Sequence, residues 1–364
     1  MTGTANILGL DNGGGLSRDI DVLATALKDL GWVVVVNGRA KRSPRPASLA
    51  RELGRMRRKA VKVAIAAGVA SPPFDLNLHL EEINGPYLVL ARQNVLIPNQ
   101  EWFRNWCFPS LPRIDQVWAK TRAAERIFSG LGCRVRFLGW TAVDRGARSA
   151  CAKRLTALHI AGASITKGTE AVLDVWSHHP EWPMLRVLRR TRGYSGEVLR
   201  WRDRAPAPNV QIISKRLDER ALIALQNESA LHLCPSEAEG FGHNILEAMS
   251  VGAVVLATDA PPMNEMVTSE TGLLVPADRS EPLRLGRRYF VNREALAERI
   301  RAALDMSDEE RASLGRAARD RFEENNVTFR GRLRHYLELT AGTASEAAEP
   351  LSPAESSLTQ TPVD

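Results

Sequence analysis

Two hydrophobic rhythms alternate along this chain, short unbroken apolar runs and longer stretches with an apolar residue at every third or fourth position. The first run, Asn6 to Leu10, is followed by the polar loop Asp11-Asn12-Gly13-Gly14-Gly15-Leu16-Ser17-Arg18. Ile20, Leu23, Leu27 and Leu30 then share one helical face with Gly31 as C-cap, and Trp32 to Val36 reads as the next buried strand. Strand signals recur at Phe74 to Leu80, Tyr87 to Ala91, Asn94 to Ile97, Ile114 to Lys120 and Val135 to Asp144, with a helix over Thr121 to Phe128 and a basic helix within 46–70. The alternation resumes at Leu158 to Ala161 and continues through a helix carrying Val172, Val175 and Trp176, then Leu185 to Leu188, Asn209 to Ser214, a helix with Leu222 and Leu225, and Ala230 to Leu233. Two amphipathic helices, Arg293 to Leu304 and Ser307 to Asn325, and a further helical face over Phe329 to Leu339 close the pattern, and Ser307-x-x-Glu310 is a capping box. Strands that alternate with helices predict an α/β chain with parallel sheets. Its 364 residues suit two domains. The small, polar stretch between Asp144 and Lys153 is the natural linker.

Candidate chemistry concentrates in Cys234 to Val275. There an apolar run ends at Pro235-Ser236, passes through Glu239-Gly240-Phe241-Gly242, and continues as Ile245, Leu246 and Met249 at helical spacing, with Gly252 as C-cap and Ala253 to Ala257 as a buried strand. Backbone N–H groups of Gly240, Phe241, Gly242 and His243 at the helix start offer a phosphate site. Glu239 and Glu247 flank it, and carboxylates that only accept hydrogen bonds suit hydroxyl-rich groups on either side. The glycine loop Gly13 to Gly15 lacks the third glycine of a dinucleotide fingerprint, because Arg18 stands there, and the second strand ends in Asn37-Gly38-Arg39 rather than an acid, so NAD binding is not expected.

The stretch resembles the donor-site signature of the large retaining glycosyltransferase group 1 family, PSxxEGFG with a second Glu in an E-x7-E spacing, followed here by Asn264-Glu265 and Gly272-Leu273-Leu274-Val275. The resemblance implies a GT-B fold, two Rossmann-like domains facing across a cleft, with residues 1–147 as the acceptor domain, 148–325 as the donor domain and a helix over 326–341 crossing back to the first; the Ala/Ser/Thr/Pro/Glu-rich composition of 342–364 predicts a disordered tail. It implies that Glu239 holds donor-sugar hydroxyls, Glu247 a ribose diol, and Lys167 of Lys167-Gly168 the diphosphate, making Lys167 and Glu239 the catalytic pair. The arginine of the family's G-R…K-G pattern is missing, with Ala163 and Ser164 in its place; Arg189, Arg190 and Arg216 are candidates for the lost charge. Arg216 and Leu217 follow the strand that in this family holds the base, Gly13, Gly14 and Gly15 match a loop at the cleft, and Asn99, which replaces a family histidine, and Glu101 are acceptor-side candidates.

The function implied is transfer of a hexose from a UDP- or GDP-linked donor to an acceptor hydroxyl with retention, the nucleotide sugar being a substrate and no cofactor required. The acceptor is expected to be a saccharide or a lipid-linked glycan; hydroxymethylated bases in DNA are the alternative, followed by a sugar-nucleotide epimerase or a non-catalytic binding protein. No metal is expected, since the one D-x-D, Asp19-x-Asp21, falls inside a helix. Ten Lys or Arg residues against the single acid Glu52 lie between Arg39 and Lys62, a segment suited to an anionic acceptor, a membrane surface or DNA. Four separated cysteines, no targeting signal and no apolar run near ~18 residues point to a cytoplasmic protein without a transmembrane segment, peripheral at most at the inner membrane face.

Overall fold

The computed structural model describes residues 3–37, 39–40, 59–147, 153–189 and 207–346. Its strands are β1 (Thr4–Leu8), β2 (Leu10–Asp11), β3 (Val33–Val36), β4 (Arg39–Ala40), β5 (Phe74–Leu80), β6 (Ala91–Ile97), β7 (Gln116–Ala119), β8 (Val135–Phe137), β9 (Arg154–Gly162), β10 (Leu185–Arg189), β11 (Val210–Ile213), β12 (Ser229–Cys234), β13 (Val254–Asp259), β14 (Leu273–Leu283) and β15 (Gly286–Val291). The helices used below are α1 (Gly15–Asp29), α2 (Arg122–Gly130), α3 (Thr169–Ser177), α4 (Glu219–Glu228), α5 (His243–Ser250), α6 (Met263–Met266), α7 (Arg293–Asp305) and α8 (Asp308–Glu346). A six-stranded parallel sheet has the order β3-β1-β5-β6-β7-β8, and a seven-stranded sheet the order β11-β10-β9-β12-β13-β14-β15, parallel except for its last strand. In each sheet the strand order reverses once, beside β1 and β5 in the first and beside β9 and β12 in the second. Such switch points leave a crevice at the carboxyl ends of the strands, where open α/β sheets take ligands.

Several expectations are corrected. β3 is an edge strand rather than a buried one: Val33 is 60% exposed and Val36 46%, while Trp32 is buried. A β-branched run reads alike at the centre and the edge of a sheet, because only the neighbours decide. Tyr87 to Ala91 is not a strand but belongs mostly to a 3-10 helix, Gly85–Leu90, started by Pro86 near its N-terminus, where the fixed φ of proline suits a helical turn. Residues 276–291, to which no element was assigned, extend β14 and form a hairpin with β15. The basic segment falls largely on 41–58, outside the described residues, as does the expected tail from 347 onward.

The last helices also differ. In place of a helix to Asn325, a separate one over 326–341 and a tail from 342, one helix of 39 residues runs from Asp308 to Glu346, its start closed by the expected capping box, with Glu310 N–H donating to Ser307 Oγ at 3.2 Å and Ser307 N–H to Glu310 Oε2 at 2.7 Å. It begins on the second sheet and ends on the first. Phe322 and Phe329 enter one buried apolar cluster with Trp140, Ile245 and Met249, and the Phe329 and Trp140 rings meet edge-on at 5.2 Å. Asn325 donates to Trp140 O (2.6 Å), Tyr336 to Phe137 O (3.0 Å), and Arg319 takes Asp144 through both terminal nitrogens (2.5 and 2.8 Å). The helix is thus a strut across the connection between the sheets.

Where the strut passes α5 it does so through Gly315 and Gly252, and a Cβ on Gly315 would overlap the Gly252 carbonyl oxygen, whereas Gly331 on the same helix has open space. Gly331→Ala should stabilise by roughly 0.5–1 kcal/mol through helix propensity. Gly315→Ala should instead lose about 1–3 kcal/mol to overpacking. Thermal unfolding of the two variants checks this; equal shifts would mean that the helix does not bear on Gly252.

Candidate active site

The carboxyl ends of the two sheets face each other, and the loops at both switch points meet. From the second domain come the loop 163–168 after β9 and the loop 235–242 after β12. Gly168 stands in the left-handed region (φ 68°) as the cap of α3, where a Cβ would overlap the Pro235 carbonyl oxygen. This close approach of two loops aims Lys167 at the start of α5. Its Nζ contacts Glu239 Oε1 and donates to Asn244 Oδ1 at 2.8 Å. Gly242 (φ 114°) caps α5 with no side-chain bond, so the first-turn amides that carry the helix dipole have no side-chain acceptor among the described residues. Glu247, one turn beyond Asn244, is fully buried. Lys167, Glu239, Gly240 to His243 and Glu247 therefore lie together, Lys167 where the family resemblance implied it and the rest as their spacing suggested.

The first domain contributes the other wall. Gly14 caps α1 without a side-chain bond, and a Cβ on Gly15 would sit 4.0 Å from the His243 ring, so the uncapped starts of α1 and α5 approach each other. His243 Nε2 lies 2.9 Å from Asp19 Oδ1, and Lys120 Nζ lies 2.6 Å from Asp19 Oδ2. A carboxylate only accepts, so His243 carries its proton on Nε2. Burial pushes the Asp19 carboxyl up, but Lys120 and His243 outweigh it and hold it below its ordinary value. Lys120 also donates to Asn99 Oδ1 (2.8 Å), and Asn99 to Glu81 Oε2 (3.0 Å). Gln100 Nε2 donates to Glu239 O at 2.9 Å, and Gly240 is packed so tightly on Asn99 and Glu101 that a Cβ there would overlap them. The Glu265 carboxylate reaches across to the start of α2, accepting from Arg122 N–H (2.6 Å) and Ala123 N–H (2.8 Å), where the helix dipole favours an anion.

Beside Glu239 a cavity of about 240 Å³ lies between the domains, walled by Glu101 and Ile127 on one side, Glu239 and Pro262 on the other, and Leu285 and Tyr289 of the β14–β15 hairpin above. Leu285 packs on an apolar cluster of the first domain, and the hairpin is held to the loop 235–242 by Tyr289 N–H donating to Glu237 O (2.7 Å) and by Arg288 to Glu237 (2.6 Å). The hairpin thus roofs the cleft.

Other sites fall elsewhere. Ser164 closes its own turn, 3.1 Å from Thr166 Oγ1. Arg216 is exposed and Leu217 half-buried on the loop after β11, with no described contact to Lys167 or Glu239. Arg189 is buried in the second sheet and Arg190 lies outside the described residues. Sequence reading missed Arg18, Asp19, Lys120, Arg145 and the hairpin. For Asp19 a signal exists: it stands in the apolar phase Leu16, Ile20, Leu23, Leu27 of α1, and a charge in that phase must meet a partner. Arg145 is buried too, its Nη1 on Glu219 and its Nη2 3.7 Å from Glu247.

Residues 198–321, about a third of the chain, match the family model described as Glycosyl transferases group 1. No curated protein matches the chain in sequence. Among solved structures, a glycosyltransferase from Rickettsia africae superimposes with a TM-score of 0.66 at 15% identity, over 93% of this chain and 98% of that one. A sucrose-phosphate synthase from Thermosynechococcus elongatus gives 0.68 at 16% identity, over 93% and 100%. Anabaena HepE in complex with UDP and glucose gives 0.61 at 18% identity, over 91% and 99%. At such identities these likenesses establish the fold: this is the GT-B arrangement, two Rossmann-like domains with a C-terminal helix returning to the first. Among the described residues no helix is long and apolar enough to cross a membrane.

Glu101 supplies a test of the site's electrostatics. Burial first, then the nearby Glu239 and Glu81 charges, push its carboxyl up to about 8. A folded-state value above the unfolded one means that the native state binds the extra proton, so stability falls as pH rises from about 4.5 towards 8. Its slope cannot exceed ~1.4 kcal/mol per pH unit, the full effect of one proton. Glu101→Gln should remove this component, and the stability difference between variant and wild type should shift in favour of the variant between pH 5.5 and 8.5 in denaturant titrations; a difference independent of pH would show Glu101 to be ionised throughout.

Proposed function

We propose that the protein transfers a hexose from a nucleotide diphosphate donor to an acceptor hydroxyl, with retention at the anomeric carbon. One observation carries the reading: Lys167, Glu239, Asn244 and the uncapped start of α5 converge at the switch point of the second sheet, opposite the glycine loop of the first. In this reading Lys167 and the α5 amides take the charge that develops on the leaving diphosphate, a fixed arrangement of donors that needs no reorganisation during the reaction. Glu239 accepts from hydroxyls of the transferred sugar and Glu247 from the ribose. The group 1 family match supports the transferase class, and the HepE complex with UDP and glucose supports UDP as the first donor nucleotide to try.

The acceptor is assigned to the cavity under the hairpin. At about 240 Å³ it has room for a sugar ring next to Glu239, which favours a saccharide or the sugar end of a glycan over a base held in duplex DNA. Glu101, protonated at neutral pH, is able to donate a hydrogen bond to an acceptor oxygen there.

A thermal-shift panel of UDP, GDP and their sugars would identify the donor, and release of nucleoside diphosphate in the presence of saccharide acceptors would establish transfer. Lys167→Ala and Glu239→Ala should each lower turnover on the order of 10²-fold, the scale of losing one preorganised contact to the transition state. Turnover within threefold of wild type for both would remove them from the chemistry. Conversion of the donor to an epimer without acceptor, seen by NMR, would replace transfer by epimerisation.

A further inference from the structure

A diphosphate leaving group carries at least two negative charges, and Lys167 supplies one positive charge. Of the candidates for the second, Arg190 lies outside the described residues. Arg189 is buried within the sheet and Arg216 is exposed on the β11 loop. Arg18 stands in the right place instead. It lies in the first turn of α1, its guanidinium Nη1 is 3.0 Å from Glu247 Oε1, and its side chain is 28% exposed. Lys167 holds Asn244 and Arg18 holds Glu247, positions three residues apart on α5 and so separated by ~4.5 Å along its axis. Both cations thus stand against one stretch of α5.

Two features of Glu247 make Arg18 the cation that is free to move. Glu247 keeps partners without it, Arg145 Nη2 at 3.7 Å and Gln226 Nε2, which donates to Oε2 at 3.1 Å, so the departure of Arg18 does not strand a buried charge. Arg145, with its side chain only 4% exposed and held by both Glu219 and Glu247, has no such freedom. Two buried nitrogens on these residues, His243 Nδ1 and Arg145 Nε, make no hydrogen bond among the described residues, unmet polar capacity that suits a polar ligand.

We propose that Arg18 is the second diphosphate-binding cation, delivered from the opposite domain: it exchanges Glu247 for the phosphate as the donor binds, and Glu247 is released to the ribose. Lys167 makes the parallel exchange from Glu239. The inference rests on the transferase reading of the site and adds a donor-binding residue that couples donor binding to contact between the domains.

The test compares a nucleoside, its monophosphate and its diphosphate, in the uridine and guanosine series, by calorimetry on wild type, Arg18→Gln and Arg18→Lys. Arg18→Gln should weaken the diphosphate roughly tenfold to a hundredfold, the range of one charge-assisted hydrogen bond, and leave the nucleoside within twofold. Arg18→Lys should recover part of the loss. If Arg18 served only to hold the domains together, Arg18→Gln would weaken nucleoside and diphosphate by the same factor, and that result, or an unchanged diphosphate affinity, overturns the proposal. Wild type that binds neither UDP nor GDP would instead bring down the donor-site reading and this inference with it. Melting curves without nucleotide verify that each variant is folded.

Discussion

A carboxylate taken out of water has to be matched, and Glu247 is matched from three parts of the chain: Arg18 in the first domain, Arg145 in the connection, and Gln226 in the second domain. Removing one partner of a buried ion pair typically costs 3–5 kcal/mol, several times the value of a surface pair. The requirement therefore restricts how the two sheets can sit against each other. Asp19 with His243 and Lys120, and Glu265 on the start of α2, impose the same restriction at neighbouring points. Two of these ties, Arg18 with Glu247 and Asp19 with His243, join α1 at one switch point to α5 at the other, so the electrostatics that hold the cleft there are those of the candidate site.

In the proposed reading such a cleft is poised for exchange. Its cations and carboxylates already neutralise one another, and a ligand that brings both phosphate and hydroxyls can replace each pair without leaving a charge unmatched. Charge-assisted bonds in a water-poor cleft are strong enough to make the replacement specific. Glu101 fits the same logic: burial first, then the nearby Glu239 and Glu81, push its carboxyl up to about 8. The hairpin over the cavity and the strut of α8 hold the periphery, the first by packing Leu285 on the opposite domain, the second by running Phe322 and Phe329 along the connection.

Much of this was legible in the residues. The alternation of apolar runs and amphipathic stretches specifies parallel α/β layers, because a run apolar on every residue needs cover on both faces. Gly168 and Gly242 mark turns that only glycine enters readily, and they bracket Lys167 and the start of α5. The spacing of Asn244 and Glu247 on one helix needs no tertiary information at all. By contrast, the Val33 to Val36 run concealed an edge strand, and the polar stretch 276–291 concealed a hairpin whose strands are held by backbone bonds that any side chains permit.

By itself, then, the sequence determined the α/β fold class and most of its strand–helix alternation, and it singled out Lys167, Glu239 and Glu247 as candidates, since these depend on periodicity, turn chemistry and short motifs that are local to the chain. Only the tertiary structure decided that Arg18 and Asp19 face α5, that Arg145 is buried, that Asn99 and Glu101 close on Gly240, and that α8 is a single helix spanning both domains. Those pairings join residues as far as 229 positions apart, Arg18 and Glu247 among them. Partners at that distance are chosen by which sheet edge meets which, and no local pattern carries that choice.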